Sequence, residues 1–168
     1  PIGPDRDSAY TGTFDGQGHT VRNLSITGDV KRAGLFGCVI GGAIRKLTVA
    51  GSVSCTANQG WCGGIAGYAM DETIENCASL CTVSCTGIDA RVGGIVGLVD
   101  YNSRTLIIRD CYNIGKITGR SDNGSGDANL QEYAAIDFQR HHRIGYVFWN
   151  CHHASNIATN DVCTGGGQ

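Results

Sequence analysis

Nine cysteines, five histidines and a thin scatter of carboxylates hold whatever chemistry this sequence offers. A thiol set this dense suits a compartment that oxidises it, and the odd count leaves at least one thiol without a partner in the chain. His141-His142 and Cys151-His152-His153, with Cys163 beyond, gather potential zinc ligands near the end. Their spacings follow no standard zinc pattern. Adjacent residues on a strand also face opposite ways, so each His pair offers one ligand to a given site. No metal or cofactor is therefore expected. Asp71, Glu72, Asp100 and Arg104 fall in turns of variable length. No pair of carboxylates recurs at a spacing suited to acid–base cleavage of a glycosidic bond, so no catalytic residue is assigned and no enzyme activity is expected.

What positions these groups is a repeat. Gly34-Leu35-Phe36-Gly37, Gly64-Ile65-Ala66-Gly67 and Gly94-Ile95-Val96-Gly97 recur every 30 residues. Behind them come Ile44-Arg45-Lys46-Leu47, Ile74-Glu75-Asn76-Cys77 and Ile108-Arg109-Asp110-Cys111. Val21-Arg22-Asn23-Leu24 and Phe148-Trp149-Asn150-Cys151 read as two outer copies, which makes about five coils. Further on, small residues (Gly28, Gly51, Cys81, Gly115, Ser155) are followed two places later by β-branched ones (Val30, Val53, Val83, Ile117, Ile157), with a polar residue between. That alternation is a strand with one inward face. No segment keeps a 3.6-residue apolar period. Each coil instead offers three short strand-like pieces, too short to bury a face alone, and stacking them into a common core solves that. The sequence thus predicts an all-β fold, a parallel β-solenoid. Asn23, Lys46, Asn76, Asp110 and Asn150 form a column suited to a left-handed corner.

The repeat places the cysteines. Cys77, Cys111 and Cys151 share a column with Leu24 and Leu47, where a buried thiol serves as a small hydrophobe. Cys55 and Cys85 share another column nearer a turn. A disulfide needs Cβ atoms about 3.5–4.5 Å apart, slightly closer than stacked coils give, and turn residues adjust more readily than mid-strand ones. Cys55–Cys85 is therefore the expected bridge. Cys38, Cys62 and Cys163 remain open to pairing with each other or with another chain. The column Arg22, Arg45, Glu75, Arg109, Trp149 reads as a solvated face with pairing between coils. Tyr146, Trp149, Tyr101, Tyr112 and Trp61 are candidate sugar-stacking aromatics, though aromatics at coil corners also pack against neighbouring loops.

The bulk composition agrees with a secreted rod. Glycine takes 26 of 168 positions, about twice its usual share, and only 17% of residues are charged. The 13 basic residues form no stripe and net charge is −2, so no nucleic-acid footprint exists. No apolar run approaches the ~18 residues of a membrane span. Sequons at Asn23-Leu24-Ser25 and Asn123-Gly124-Ser125 make Asn23 and Asn123 glycosylation candidates. The chain opens Pro1-Ile2-Gly3, which suggests a processed product or an excised segment. The layout is one solenoid domain: a lead-in over 1–10, regular coils over 11–118, a polar, flexible loop over 119–129, and a degenerate final coil over 130–168. In that last coil Tyr133–Phe138 replaces the glycine-rich strand.

Gly12-Thr13-Phe14-Asp15-Gly16-Gln17-Gly18-His19-Thr20-Val21 resembles the opening of bacterial surface proteins with GLUG-type repeats. The later Gly-Gly-Ile-x-Gly, Ile-Glu-Asn-Cys and Ile-Arg-Asp-Cys-Tyr-Asn segments look like the repeats themselves, over roughly residues 10 to 118. The resemblance implies a right-handed β-helix and a cell-surface role as stalk, scaffold or adhesive module, with no catalytic residues. The cysteine load, the loop after Gly119 and the His-rich end depart from that pattern. The expected function is an extracellular structural or adhesive module. Its expected partners are other solenoid units met end to end, with surface glycans or host proteins as further candidates. The alternative is a glycan-binding or glycan-processing β-helix.

Overall fold

A computed structural model describes residues 1–100 and 102–119, and beyond them the backbone of two short strands, Val147–Trp149 and His152–His153. The expected polar loop after Gly119, Asn123, Tyr133–Phe138, His141, His142, Tyr146, Cys151 and Cys163 lie outside the described residues.

The described chain is all-β and climbs as a solenoid of about four turns. The first coil holds β1 (Thr13–Asp15), β2 (Thr20–Gly28), β3 (Arg32–Ala33) and β4 (Phe36–Ile40). The second holds β5 (Ala43–Arg45), β6 (Thr48–Cys55), β7 (Trp61–Gly63) and β8 (Ala66–Met70). The third holds β9 (Thr73–Glu75), β10 (Ala78–Ser79), β11 (Thr82–Cys85), β12 (Arg91–Gly93) and β13 (Val96–Val99). The fourth holds β14 (Ile107–Arg109), β15 (Tyr112–Asn113) and β16 (Ile117–Gly119), followed by β17 (Val147–Trp149) and β18 (His152–His153). Every strand pairing is parallel, and the strands form sheets of five, seven, three and three.

The coils stack side chain on side chain. Ile44, Ile74 and Ile108 lie level with one another and are fully buried. Val53, Val83 and Ile117 form a second column, as the alternation predicts. Ile65 and Ile95 form a third, one residue before the Phe36–Ala66–Val96 register. Burying an isoleucine is worth about 1.5–3 kcal/mol, so a few such columns hold a coil that has no helix to lean on. The left-handed corners are present: φ is 49° at Lys46, 53° at Asn76 and 51° at Asp110.

The glycine-rich piece is bent in two at Gly64-Ile65, between β7 and β8. Gly67 lines the inside of this elbow. A Cβ there would sit 2.6 Å from the Ala33 amide nitrogen and 2.8 Å from the Trp61 carbonyl oxygen. Gly97 packs in the same way on Cys62 one level up. The Gly-x-x-Gly spacing is thus a requirement of close backbone approach.

The first coil departs from the expected register. Phe14, not Val21, is level with Ile44, and Asp15, not Arg22, is level with Arg45. Ile26 takes the place expected for Val30 opposite Val53, and Leu24 stands opposite Gly51 rather than in the Leu47 column. Val21-Arg22-Asn23-Leu24 matches Ile44-Arg45-Lys46-Leu47 in residue type, yet it lies in β2, the strand after the one level with Ile44. The first coil also holds two more residues than the second between Asp15 and Thr20, and a bulge in β2 between Val21 and Leu24, where Asn23 adopts φ 59°, adds a third. Gly51 accepts the bulge because a Cβ there would overlap the Leu24 backbone.

Candidate functional site

The described residues place their chemistry-bearing groups in three settings: inside the coil, on its outer columns, and at its open end. Inside lie the seven described cysteines, all buried thiols. Cys77 and Cys111 sit beneath the left-handed corners, where their thiols donate to the Ile44 and Ile74 carbonyls at 3.6 Å. Contact with Cys111 draws the Cys77 thiol down. Burial pushes Cys38 up to about 11. Cys55 and Cys85 are level partners across β6 and β11, as the column reading requires. Cys62, from β7, is buried with both of them, and the three thiols belong to one dry core cluster. The neighbouring Cys55 and Cys85 thiols, then burial, hold Cys62 protonated, and Cys62 in turn draws the other two down.

One carboxylate also points inward. Glu72 is 1% exposed, and neither of its oxygens has a hydrogen-bond partner. Its level mates are Gly42 and Leu106, next to the Ala43–Thr73–Ile107 register. Burial, then the neighbouring Cys77, raises its pKa well above the ordinary 4.5, so the neutral acid is the stable form. Extending that column by one residue would have exposed the anomaly in the sequence: a glutamate where other coils carry glycine and leucine.

On the outside, charges alternate up the coil. Asp15, Arg45, Glu75 and Arg109 are level partners. Arg45 Nε lies 3.0 Å from Glu75 Oε1, and Arg109 grips Glu75 Oε2. This is the cross-coil pairing expected for the column, with Asp15 in the place expected for Arg22, but the face is not solvated throughout, because Glu75 is buried between its two arginines.

The elbow carries a second outer constellation. Arg32, Trp61 and Arg91 are level. The Arg32 guanidinium lies 4.9 Å from the Trp61 ring, which stacks on Tyr68 at 5.3 Å. Tyr68 donates to Asp100, which also accepts from Arg6 at 3.2 Å and from the Asn102 backbone at 2.7 Å. Burial pushes the Asp100 carboxyl up, but these donors outweigh it and hold its pKa below the ordinary value. Asp71 is committed elsewhere, accepting from the Arg104 and Thr105 amides of the next coil's turn. The three carboxylates singled out in the turns therefore have three separate environments. Arg6 and Asp100 lie 94 residues apart, and nothing in the repeat links them.

Of the remaining candidates, Asn23 is exposed on the β2 bulge, where its side chain is accessible. Tyr112 is 45% exposed beside the outer strands, while Trp61 has Tyr68 against it and Arg32 near its ring. Trp149 is placed only by its backbone, level with Arg109. His152 and His153 are likewise placed by backbone, level with Tyr112 and Asn113. Asn123, Tyr146 and Tyr101 are outside the described residues.

The N-terminal end of the solenoid is partly covered. Ile2 and Tyr10 bridge to Phe36 and Val39, taking the outer edge of β4, so the lead-in does more than the sequence suggests. Among the described residues β1, β2 and β3 pair on one side only. Above them Tyr10 and Phe14, each half-buried, pack on buried Phe36 at 5.1 and 5.5 Å.

No known protein family and no solved structure matches this chain. Over 101 residues, 59% of the chain, it is 41% identical to Halomucin of Haloquadratum walsbyi (strain DSM 16790 / HBSQ001). The chain spans about 1% of the length of that protein. The β-solenoid and this partial likeness are compatible with an extracellular structural module.

Proposed function

We propose that the chain is a structural and adhesive segment of a longer cell-surface protein or fibre, and that its solenoid continues by stacking on further solenoid units end to end. The open N-terminal end carries this reading. Three neighbouring strands offer unused hydrogen-bonding edges there, around a core whose last layer is the half-buried pair Tyr10 and Phe14. A free sheet edge invites another strand, and natural rods cover or continue such edges. The outer Arg45–Glu75–Arg109 ladder is satisfied by itself, which suits a spacer surface. Likeness to a segment of a very long protein named as a mucin supports the surface setting, and the GLUG-type resemblance points the same way.

The test is association of the isolated chain. Light scattering over a wide concentration range should show particles that lengthen with concentration. Exposed Ser25 and Thr27 lie on open β2, and lysine at either should weaken that association by edge charge. A compact monomer at every concentration, indifferent to Ser25→Lys, would overturn the reading.

A further inference from the structure

We propose that Cys62 forms a disulfide inside the solenoid with one of the two cysteines that face it, Cys55 or Cys85. The idea is independent of end-to-end stacking. Cys55 and Cys85 are locked level with each other by the ladder, with Ser54 level with Ser84 beside them. Parallel levels lie about 4.8 Å apart and their side chains point the same way. A disulfide needs Cβ atoms about 3.8 Å apart and sulfurs about 2.05 Å apart, so this pair meets side by side rather than head on. Cys62 comes from the adjoining wall, β7, and is buried with both in one core cluster. The Cys85 sulfur reaches towards that wall, lying 3.2 Å from where a Cβ on Gly60 would stand. All three residues are at most 1% exposed, so the bond forms as the chain folds and is then shielded.

The oxidant is a small-molecule disulfide such as oxidised glutathione. A thiolate from Cys85 or Cys55 attacks one of its sulfurs and releases one glutathione thiolate. The Cys62 sulfur then attacks the mixed disulfide and expels the second glutathione, which takes the Cys62 proton. Two protein thiols become one disulfide and one glutathione disulfide becomes two thiols.

The full chain is refolded with reduced and oxidised glutathione, unfolded without reductant, alkylated and digested with chymotrypsin and Glu-C. Cleavage after Trp61, Tyr68 and Glu75 puts the three cysteines on separate peptides. Tandem mass spectrometry should find the Cys62 peptide linked to that of Cys55 or Cys85. Cys62→Ala should leave both others fully alkylated, whereas Cys55→Ala and Cys85→Ala should each retain one link. A Cys55–Cys85 link in the unaltered chain, or complete alkylation of all three, overturns the proposal. The unaltered chain decides even if a variant fails to fold.

Discussion

Replacing Glu72 with leucine should make this protein more stable, and increasingly so as pH rises. Below the ordinary carboxyl pKa of 4.5 the side chain is neutral both folded and unfolded, so its cost is that of a buried polar group with two unpartnered oxygens. Such a group costs about 1–3 kcal/mol, and leucine of similar size removes it beside Leu106. Burial raises the folded pKa well above 4.5. Above that pH the unfolded chain loses its proton while the folded chain keeps it. The unfolded state then binds fewer protons, so stability falls with pH by about 1.4 kcal/mol per unit until the folded carboxyl also ionises. Full stability from this group is thus present below pH 4.5 and lost above it. Denaturant unfolding of the unaltered chain, E72L and E72Q from pH 4 to 8 separates the two costs. E72L should gain at pH 4, and its lead should widen with pH. E72Q should gain little at pH 4 but show the same widening, because it cannot ionise. A lead for E72L that does not change with pH, or a loss at both ends of the range, would refute the reasoning.

The outer ladder predicts a salt-dependent effect. Arg45 and Arg109 are about half exposed but Glu75 between them is buried, so Glu75→Gln should cost about 1–3 kcal/mol for both pairs together. Melting curves should show that loss shrinking at 1 M salt, where the Debye length is about 3 Å. At the elbow, Gly67→Ala sets a methyl against backbone of the neighbouring strand and should cost about 1–3 kcal/mol or more. Gly41→Ala, at φ 67° with open space around it, should cost only about the 1–2 kcal/mol of a left-handed residue. Equal melting temperatures for the two would contradict the close-approach account.

Much of the fold was legible because a solenoid writes its vertical neighbours into the sequence at a fixed interval. Ile65 above Leu35, Val83 above Val53, Cys85 above Cys55 and the left-handed corners at Lys46, Asn76 and Asp110 all follow from period and alternation. The first coil defeats that reading because Val21-Arg22-Asn23-Leu24 copies the residue types of Ile44-Arg45-Lys46-Leu47 from one strand further along, and Val30 and Ile26 are equally β-branched, so residue type could not choose between them. What the sequence could not reach is who faces whom across the coil. Cys62 against Cys55 and Cys85, and Arg6 against Asp100, depend on how sharply the chain turns at each corner. Those angles are set by glycines meeting backbone and by the shared packing of all the walls. The repeat fixes distance along the rod; only the closed coil fixes distance through it.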